Sequence, residues 1–197
     1  MDYVLNINNQ LKHLFERKDF YTQLEYARSQ EYITDFKDGS LYKSVLESED
    51  GKYFNSKAAC SFLINTDGIQ ISLKSKTSVW PVYLVINEIP IQNRFKFENL
   101  IIAGISVSYG KPNLDMLIRK IVRQLKVLEY GLKFNINGEN KRIHFFTLAG
   151  VFDKPARADI LKTNLCTGYF SCIKCYIEGE SLETAKSKFF IISLQIA

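Results

Sequence analysis

The chain has 197 residues, 46% of them hydrophobic and 13% aromatic, which is enough for one packed domain of ordinary size and excludes an intrinsically disordered chain. No apolar run reaches the ~18 residues that cross a bilayer, and the opening MDYVLNINNQ lacks a basic stretch leading into an apolar one, so membrane-spanning and secreted classes are not expected. The 26 basic and 21 acidic residues give a net charge of +5, which permits a polyanionic partner without demanding one.

Residues 1–57 are rich in charge and tyrosine. Helix-like apolar spacing occurs at Leu11, Leu14 and Phe15 and again at Tyr21, Leu24 and Tyr26, while Asp38-Gly39 and Asp50-Gly51 are turn signals. The expectation is a helical or irregular N-terminal arm. The period changes from Ala58. Ala59 to Ile71, Val79 to Ile89 and Leu100 to Val107 are dense in β-branched and aromatic residues and are separated by turn residues, which predicts three consecutive antiparallel strands. Asn113 is a candidate N-cap for a helix carrying Leu114, Leu117, Ile118, Ile121, Val122, Leu125 and Leu128 on one face, with Gly131 as its stop. After the turn signal Asn137-Gly138, the apolar run Arg142 to Phe152 predicts a strand buried on both faces. Pro155 fits the first turn of a following helix through Ala158, Ile160 and Leu161. Strand, strand, strand, helix, strand, helix gives an α/β chain whose mixed sheet carries packed helices over 58–165. Residues 166–197 form a third segment with cysteines and the apolar tail Phe189 to Leu194.

Two acids stand where chemistry is often placed. Asp67 lies within the first predicted strand, where a carboxylate needs compensation for lost solvation. Asp153 closes the last strand, at the carboxyl end where open sheets place ligands. If the two strands are neighbours, the carboxylates converge and a divalent cation such as Mg²⁺ relieves their repulsion. The alternative is plainer: Asp67-Gly68 is a hairpin turn and Asp153 is a helix cap. Four cysteines in a chain not expected to be secreted point to thiols or metal ligands. Cys172-x-x-Cys175 has the spacing of half a zinc site, with Cys166 a third donor, while Cys60 reads as a core thiol. Thiols without metal are the other reading of the pair. Lys154 and Arg157 flank Asp153, and together with Arg94 and Lys96 they are the phosphate-binding candidates. The basic side of the long helix, Arg119, Lys120, Arg123 and Lys126, reads first as a solvated face opposite the apolar stripe and, as the alternative, as a contact for a DNA backbone.

A set of short motifs runs along roughly residues 10–180: Asp38-Gly39-Ser40-Leu41-Tyr42, Asn65-Thr66-Asp67-Gly68, Ser75 to Tyr83 (SKTSVWPVY), Ile86-Asn87-Glu88-Ile89-Pro90, Glu98-Asn99-Leu100, Lys111-Pro112-Asn113, Asp153-Lys154-Pro155-Ala156-Arg157 and Gly168 to Cys175 (GYFSCIKC). In this order and spacing the chain resembles the transposases of CACTA (En/Spm-type) DNA transposons. The resemblance implies a ribonuclease H-like core that cuts and joins DNA with an acidic triad and two Mg²⁺ or Mn²⁺ ions. Asp67 and Asp153 would be the first two acids, and transposon-end DNA the partner. It also implies that the cysteine pair belongs to an insertion ahead of a third acid on a helix. Glu178, Glu180 and Glu183 stand too close to Cys175 for that place. The expectation is therefore a C-terminally incomplete core, inactive as a fragment, in a nuclear or nucleocytoplasmic protein. A non-catalytic DNA- or protein-binding module of the same descent is the alternative.

Overall fold

The computed structural model describes residues 1–26, 32–71, 77–110, 112–165, 169–170, 172, 178, 180–184 and 187–191. They divide into two compact units, Met1–Val151 and Phe152–Ala197.

The first unit opens with β1 (Asp2–Val4) and α1 (Ile7–Glu16), the helix capped by the Asn6 side chain on the Asn9 N–H. A 3-10 turn, Phe36–Asp38, leads into α2 (Ser40–Glu47) and α3 (Gly51–Asn55). Then come β2 (Ala59–Thr66), β3 (Ile69–Gln70), β4 (Thr77–Ile86), the short α4 (Ile91–Arg94) and β5 (Ile101–Tyr109). The unit closes with α5 (Asp115–Leu128), β6 (Leu132–Ile136) and β7 (Glu139–Gly150). These strands form one sheet in the order β1-β5-β4-β2-β7-β6, with β3 paired to β4. Every pairing is antiparallel except β2 with β7, which run parallel from Ala59↔His144 to Ile64↔Gly150. The chain is therefore of the mixed α/β class.

One face of the sheet carries the main core. Leu11, Leu14 and Phe15 of α1 and Leu117, Ile121, Leu125 and Leu128 of α5 pack there with Cys60, Phe62, Val82, Leu84, Ile86, Phe134 and Phe145. The opposite face carries a smaller cluster of Tyr42, Phe54 and Ala59 with Phe146 and Leu148 against it. Residues 1–57 thus differ from the expected arm. β1 extends the sheet, α1 covers one face and Tyr42 and Phe54 cover the other. Their apolar spacing is a buried face, and burying it in the sheet removes more apolar area from water than a free arm could.

Strand limits differ in an informative way. The first strand stops at Thr66, leaving Asp67 and Gly68 in an exposed turn before β3. The Arg142 to Phe152 run is not buried on both faces: exposed Arg142 and half-buried His144 and Phe146 alternate with buried Ile143 and Phe145, and Thr147 is exposed. In the long helix, Val122 is 38% exposed, outside the buried stripe. Gly104 of β5 lies directly under α5, where a Cβ would stand 2.8 Å from the Leu117 Cδ1 and 2.9 Å from the Tyr3 carbonyl oxygen. Gly104→Val forces β1 or α5 away from the sheet. Urea denaturation should show it less stable by about 1–3 kcal/mol, and an unchanged midpoint would contradict this packing.

The second unit holds α6 (Lys154–Leu161) and a hairpin of β8 (Glu180–Thr184) with β9 (Ser187–Ile191). The predicted strand-like tail Phe189 to Leu194 falls partly in β9, and its last residues lie outside those described. Among the described residues no helix is long and apolar enough to cross a membrane.

Candidate functional site

The Asn65-Thr66-Asp67-Gly68 segment ends β2, and each of its residues has a distinct task. The Asn65 side-chain amide donates to the Val151 carbonyl oxygen at 2.5 Å, and the Val151 N–H donates to the Ile64 oxygen at 2.9 Å. Those bonds carry the β2–β7 pairing past the last registered pair. The buried Thr66 hydroxyl donates to the Pro81 oxygen at 2.8 Å, fixing the strand end to β4. Asp67 is exposed, and its Oδ1 accepts the Gly68 N–H at 2.7 Å. Gly68 is needed for contact with Trp80, since a Cβ there would stand 2.4 Å from the indole Cζ2. The Trp80 Nε1 in turn donates to the Ser78 hydroxyl at 3.0 Å. Asp67 therefore stands on an anchored turn, not within a strand, and solvation by water removes the desolvation penalty expected for it.

In the second unit, Asp153 is the N-cap of α6. It is exposed, its Oδ1 accepts the Ala156 N–H at 2.7 Å, and Pro155 occupies the first turn. Lys154 is exposed and Arg157 is half-buried on the same turn. Each acid commits one oxygen to its own backbone and leaves Oδ2 uncommitted among the described residues. Cys172 is half-buried, and Cys166 and Cys175 lie outside the described residues. Among the described residues there is no group of three or more His, Cys, Asp and Glu side chains placed to hold a metal. Two carboxylates alone suit Mg²⁺ better than a metal needing a full protein cage, because Mg²⁺ keeps several waters and takes one or two carboxylates.

Arg94 is not a phosphate ligand. Its side chain is 2% exposed and forms a fork with Asp35, Nη1 to Oδ1 at 2.5 Å and Nη2 to Oδ2 at 2.6 Å. It also donates to the Ile89 oxygen at 3.0 Å and the Asn87 oxygen at 2.5 Å. A buried guanidinium with its donors so occupied has no capacity for DNA. Lys96, two residues on, is exposed and remains available, as do Arg119, Lys120, Arg123 and Lys126 on α5, Arg119 being bonded to Asp115 at 3.0 Å. Beside the fork, Lys37 is buried and donates to the Glu25 carbonyl oxygen at 2.9 Å.

A second buried polar cluster adjoins it. The Glu88 carboxyl has no exposure. Its Oε1 accepts from the Tyr42 hydroxyl at 2.9 Å and the Ser61 hydroxyl at 2.8 Å, and its Oε2 accepts the Ser61 N–H at 2.7 Å. Asn87 Nδ2 donates to the Ser61 hydroxyl at 3.0 Å. Burial pushes the Glu88 carboxyl above the ordinary glutamate range, and these hydrogen bonds only partly offset it. For Asp35 burial also pushes upward, but the hydrogen bonds and charge of Arg94 outweigh it and hold that carboxyl below its usual value. Burial raises the Tyr42 phenol and the Cys60 thiol, which makes Cys60 an inert core thiol. The sequence signal for this cluster was the pair of motifs Asp38-Gly39-Ser40-Leu41-Tyr42 and Ile86-Asn87-Glu88-Ile89-Pro90, which meet through Tyr42 and Glu88.

No protein-family model and no curated protein matches the chain.

Arg94→Ala removes the two-pronged bond and leaves the buried Asp35 carboxylate with the Lys37 ammonium at 3.7 Å as its remaining cation, so thermal or urea denaturation should report a loss of about 1.5–3 kcal/mol. The Glu88 clamp has a pH signature. The folded protein holds a proton that the unfolded chain releases near about pH 4.3. The resulting stability is full below that value and is lost as pH rises through the raised folded value. Glu88→Gln fixes the neutral form. Wild type should therefore lose stability relative to this variant as pH is raised above about 4.3, and a difference that stays flat there would contradict the raised Glu88 carboxyl.

Proposed function

We propose that the chain is a transposase-derived domain with a ribonuclease H-like core, whose ancestral activity is metal-dependent cleavage and transfer of DNA strands. The observation that carries this reading is the parallel β2–β7 pair. Three antiparallel strands, β2, β4 and β5, precede helix α5, and β7 then returns beside β2 in the same direction. The resemblance implies three antiparallel strands, a helix and a further strand, and this order supports the reading, with β6 standing in addition between α5 and β7. The carboxyl ends of β2 and β7 therefore leave the same edge of the sheet, Asp67 directly after β2 and Asp153 three residues after β7.

In this reading Asp67 is a ligand for Mg²⁺ or Mn²⁺ through its uncommitted oxygen, and Asp153, in the second unit, is carried over as the other acid by the resemblance alone. When bound, such a metal activates water or a 3′-hydroxyl and offsets charge on a phosphodiester. The chain's own contribution is positional. Asn65, Thr66 and Trp80 fix the Asp67 turn, and Pro155 and the cap bond fix Asp153 at the start of α6. Lys154 and Arg157 supply positive charge for DNA phosphates, with Lys96 a further contact, and a nuclear or nucleocytoplasmic location goes with this partner. Half a zinc site at Cys172 and Cys175 belongs to the same proposal.

Mn²⁺ titration of the purified chain, followed by electron paramagnetic resonance, tests the acid pair. Asp67→Asn and Asp153→Asn should each weaken Mn²⁺ binding by about tenfold or more while leaving the melting temperature unchanged, because both side chains are exposed. Mn²⁺ binding that is absent, or identical in all three proteins, would overturn the assignment.

A further inference from the structure

The hairpin of β6 and β7 has two unlike faces. Phe134, Ile136, Ile143 and Phe145 point into the main core. The other face pairs Lys133 directly with Arg142 and Asn135 with Asn140, and all four residues are exposed. This face of the hairpin carries no acid. Glu139, the hairpin's one carboxylate, is committed to Lys141 at 3.3 Å on the alternate positions.

Lys133 opposite Arg142 is an unfavourable arrangement. Directly opposed cross-strand residues hold their Cβ atoms about 5 Å apart, and like charges at that separation repel. Among the described residues neither cation forms a salt bridge; Arg142 donates only to the Tyr130 carbonyl oxygen at 3.2 Å, its stem lying against Gly131. An anion bridging the two would relieve the repulsion. Aromatic surface adjoins the pair. Tyr53 stacks on His144 at 4.0 Å between centroids, Lys52 Nζ sits 5.1 Å from the Tyr53 ring, and Tyr130 is 77% exposed. Cations interleaved with aromatic rings suit a strand of phosphates carrying bases that can stack.

We propose that this hairpin face is a nucleic-acid contact surface, with a backbone phosphate held between Lys133 and Arg142 and a base resting on Tyr130. It lies at the opposite end of β7 from Gly150, about 25 Å away at the rise of a strand. It is therefore separate from the strand ends that bear the proposed metal ligands, and it stands or falls independently of them.

Fluorescence anisotropy of the whole chain with a labelled single-stranded oligonucleotide and with a duplex, across a salt series, tests it. The variants are Lys133→Glu, Arg142→Gln and Tyr130→Ala. Each charge change should reduce the slope of log affinity against log salt by about 1, and Lys133→Glu should weaken binding by about tenfold or more at low salt. Lys133→Glu also replaces a repulsive pair with an attractive one, so its melting temperature should hold or rise while binding falls. A merely structural role would move the two together. Tyr130→Ala should weaken the single strand more than the duplex, which separates the two forms of the ligand. An unchanged salt slope in the charge variants, no saturable binding by wild type, or tighter binding of polyglutamate in competition would each overturn the proposal. Mn²⁺ binding should be unaffected in every variant, so failure here is distinguishable from failure of the acid pair.

Discussion

Having no exposed surface, the Glu88 carboxyl must find its partners inside the protein, and it takes them from two segments distant in sequence. Ser61 offers both its N–H and its hydroxyl from β2, and Tyr42 offers its phenol from α2. A few residues on, Arg94 reaches Asp35 through a two-pronged bond and draws the loop after β4 onto the same N-terminal segment. Buried polar groups of this kind cost stability unless every partner is present, so the cluster tolerates little variation in the position of those segments. The second face of the sheet is closed by this clamp. Without it, Tyr42 and Phe54 would have no fixed position against Phe146 and Leu148.

The clamp also bears on the strand that leads into Asp67. Ser61 lies midway along β2, and its N–H is committed to Glu88 while β7 runs alongside from Ala59 to Ile64. The same strand then ends in Asn65, Thr66 and Asp67. A shift of β2 by one residue would turn Phe62 out of the core and Ser61 into it, so the buried pattern and the Glu88 bonds enforce one register. Asp67 inherits its place from that register, and the Thr66 and Trp80 contacts convert a strand end into a fixed turn.

Much of this was legible from the residues, and the exceptions have physical causes. The α5 stripe at Leu117, Ile121, Leu125 and Leu128 is sustained over four turns, long enough for its period to be unmistakable. β1 and β6 span three and five residues and carry too few alternations to register as strands. Arg94 stands among Gln92, Asn93, Lys96 and Glu98, a neighbourhood that reads as solvated. Its burial depends on Asp35, 59 residues earlier, and a long-range partner leaves no local pattern. Ile69 and Ile71 continue the apolar alternation past Asp67, which by pattern alone puts the acid inside a strand. Both are exposed, at 57% and 61%, and Gly68 is instead held against Trp80.

The motifs that support the resemblance therefore divide by physical role. Asp38 to Tyr42 and Ile86 to Pro90 meet at a buried carboxyl that no ligand reaches, and the Trp80-Pro81 pair seats a turn and accepts the Thr66 bond. Those residues are explained by the fold alone. Asp67, Asp153, Lys154 and Arg157 are not: two acids and a lysine are exposed, the arginine is half-buried, and none of the four contributes to either apolar cluster. The Asp153 cap bond stabilises α6, but a Ser or Asn there would serve equally well, so capping does not require a carboxylate. Nor does the single Gly68 N–H require one at Asp67. The Asp67 charge, which the fold does not need, stands on the anchored turn that ends β2, and it is this residue that the proposed metal role would use.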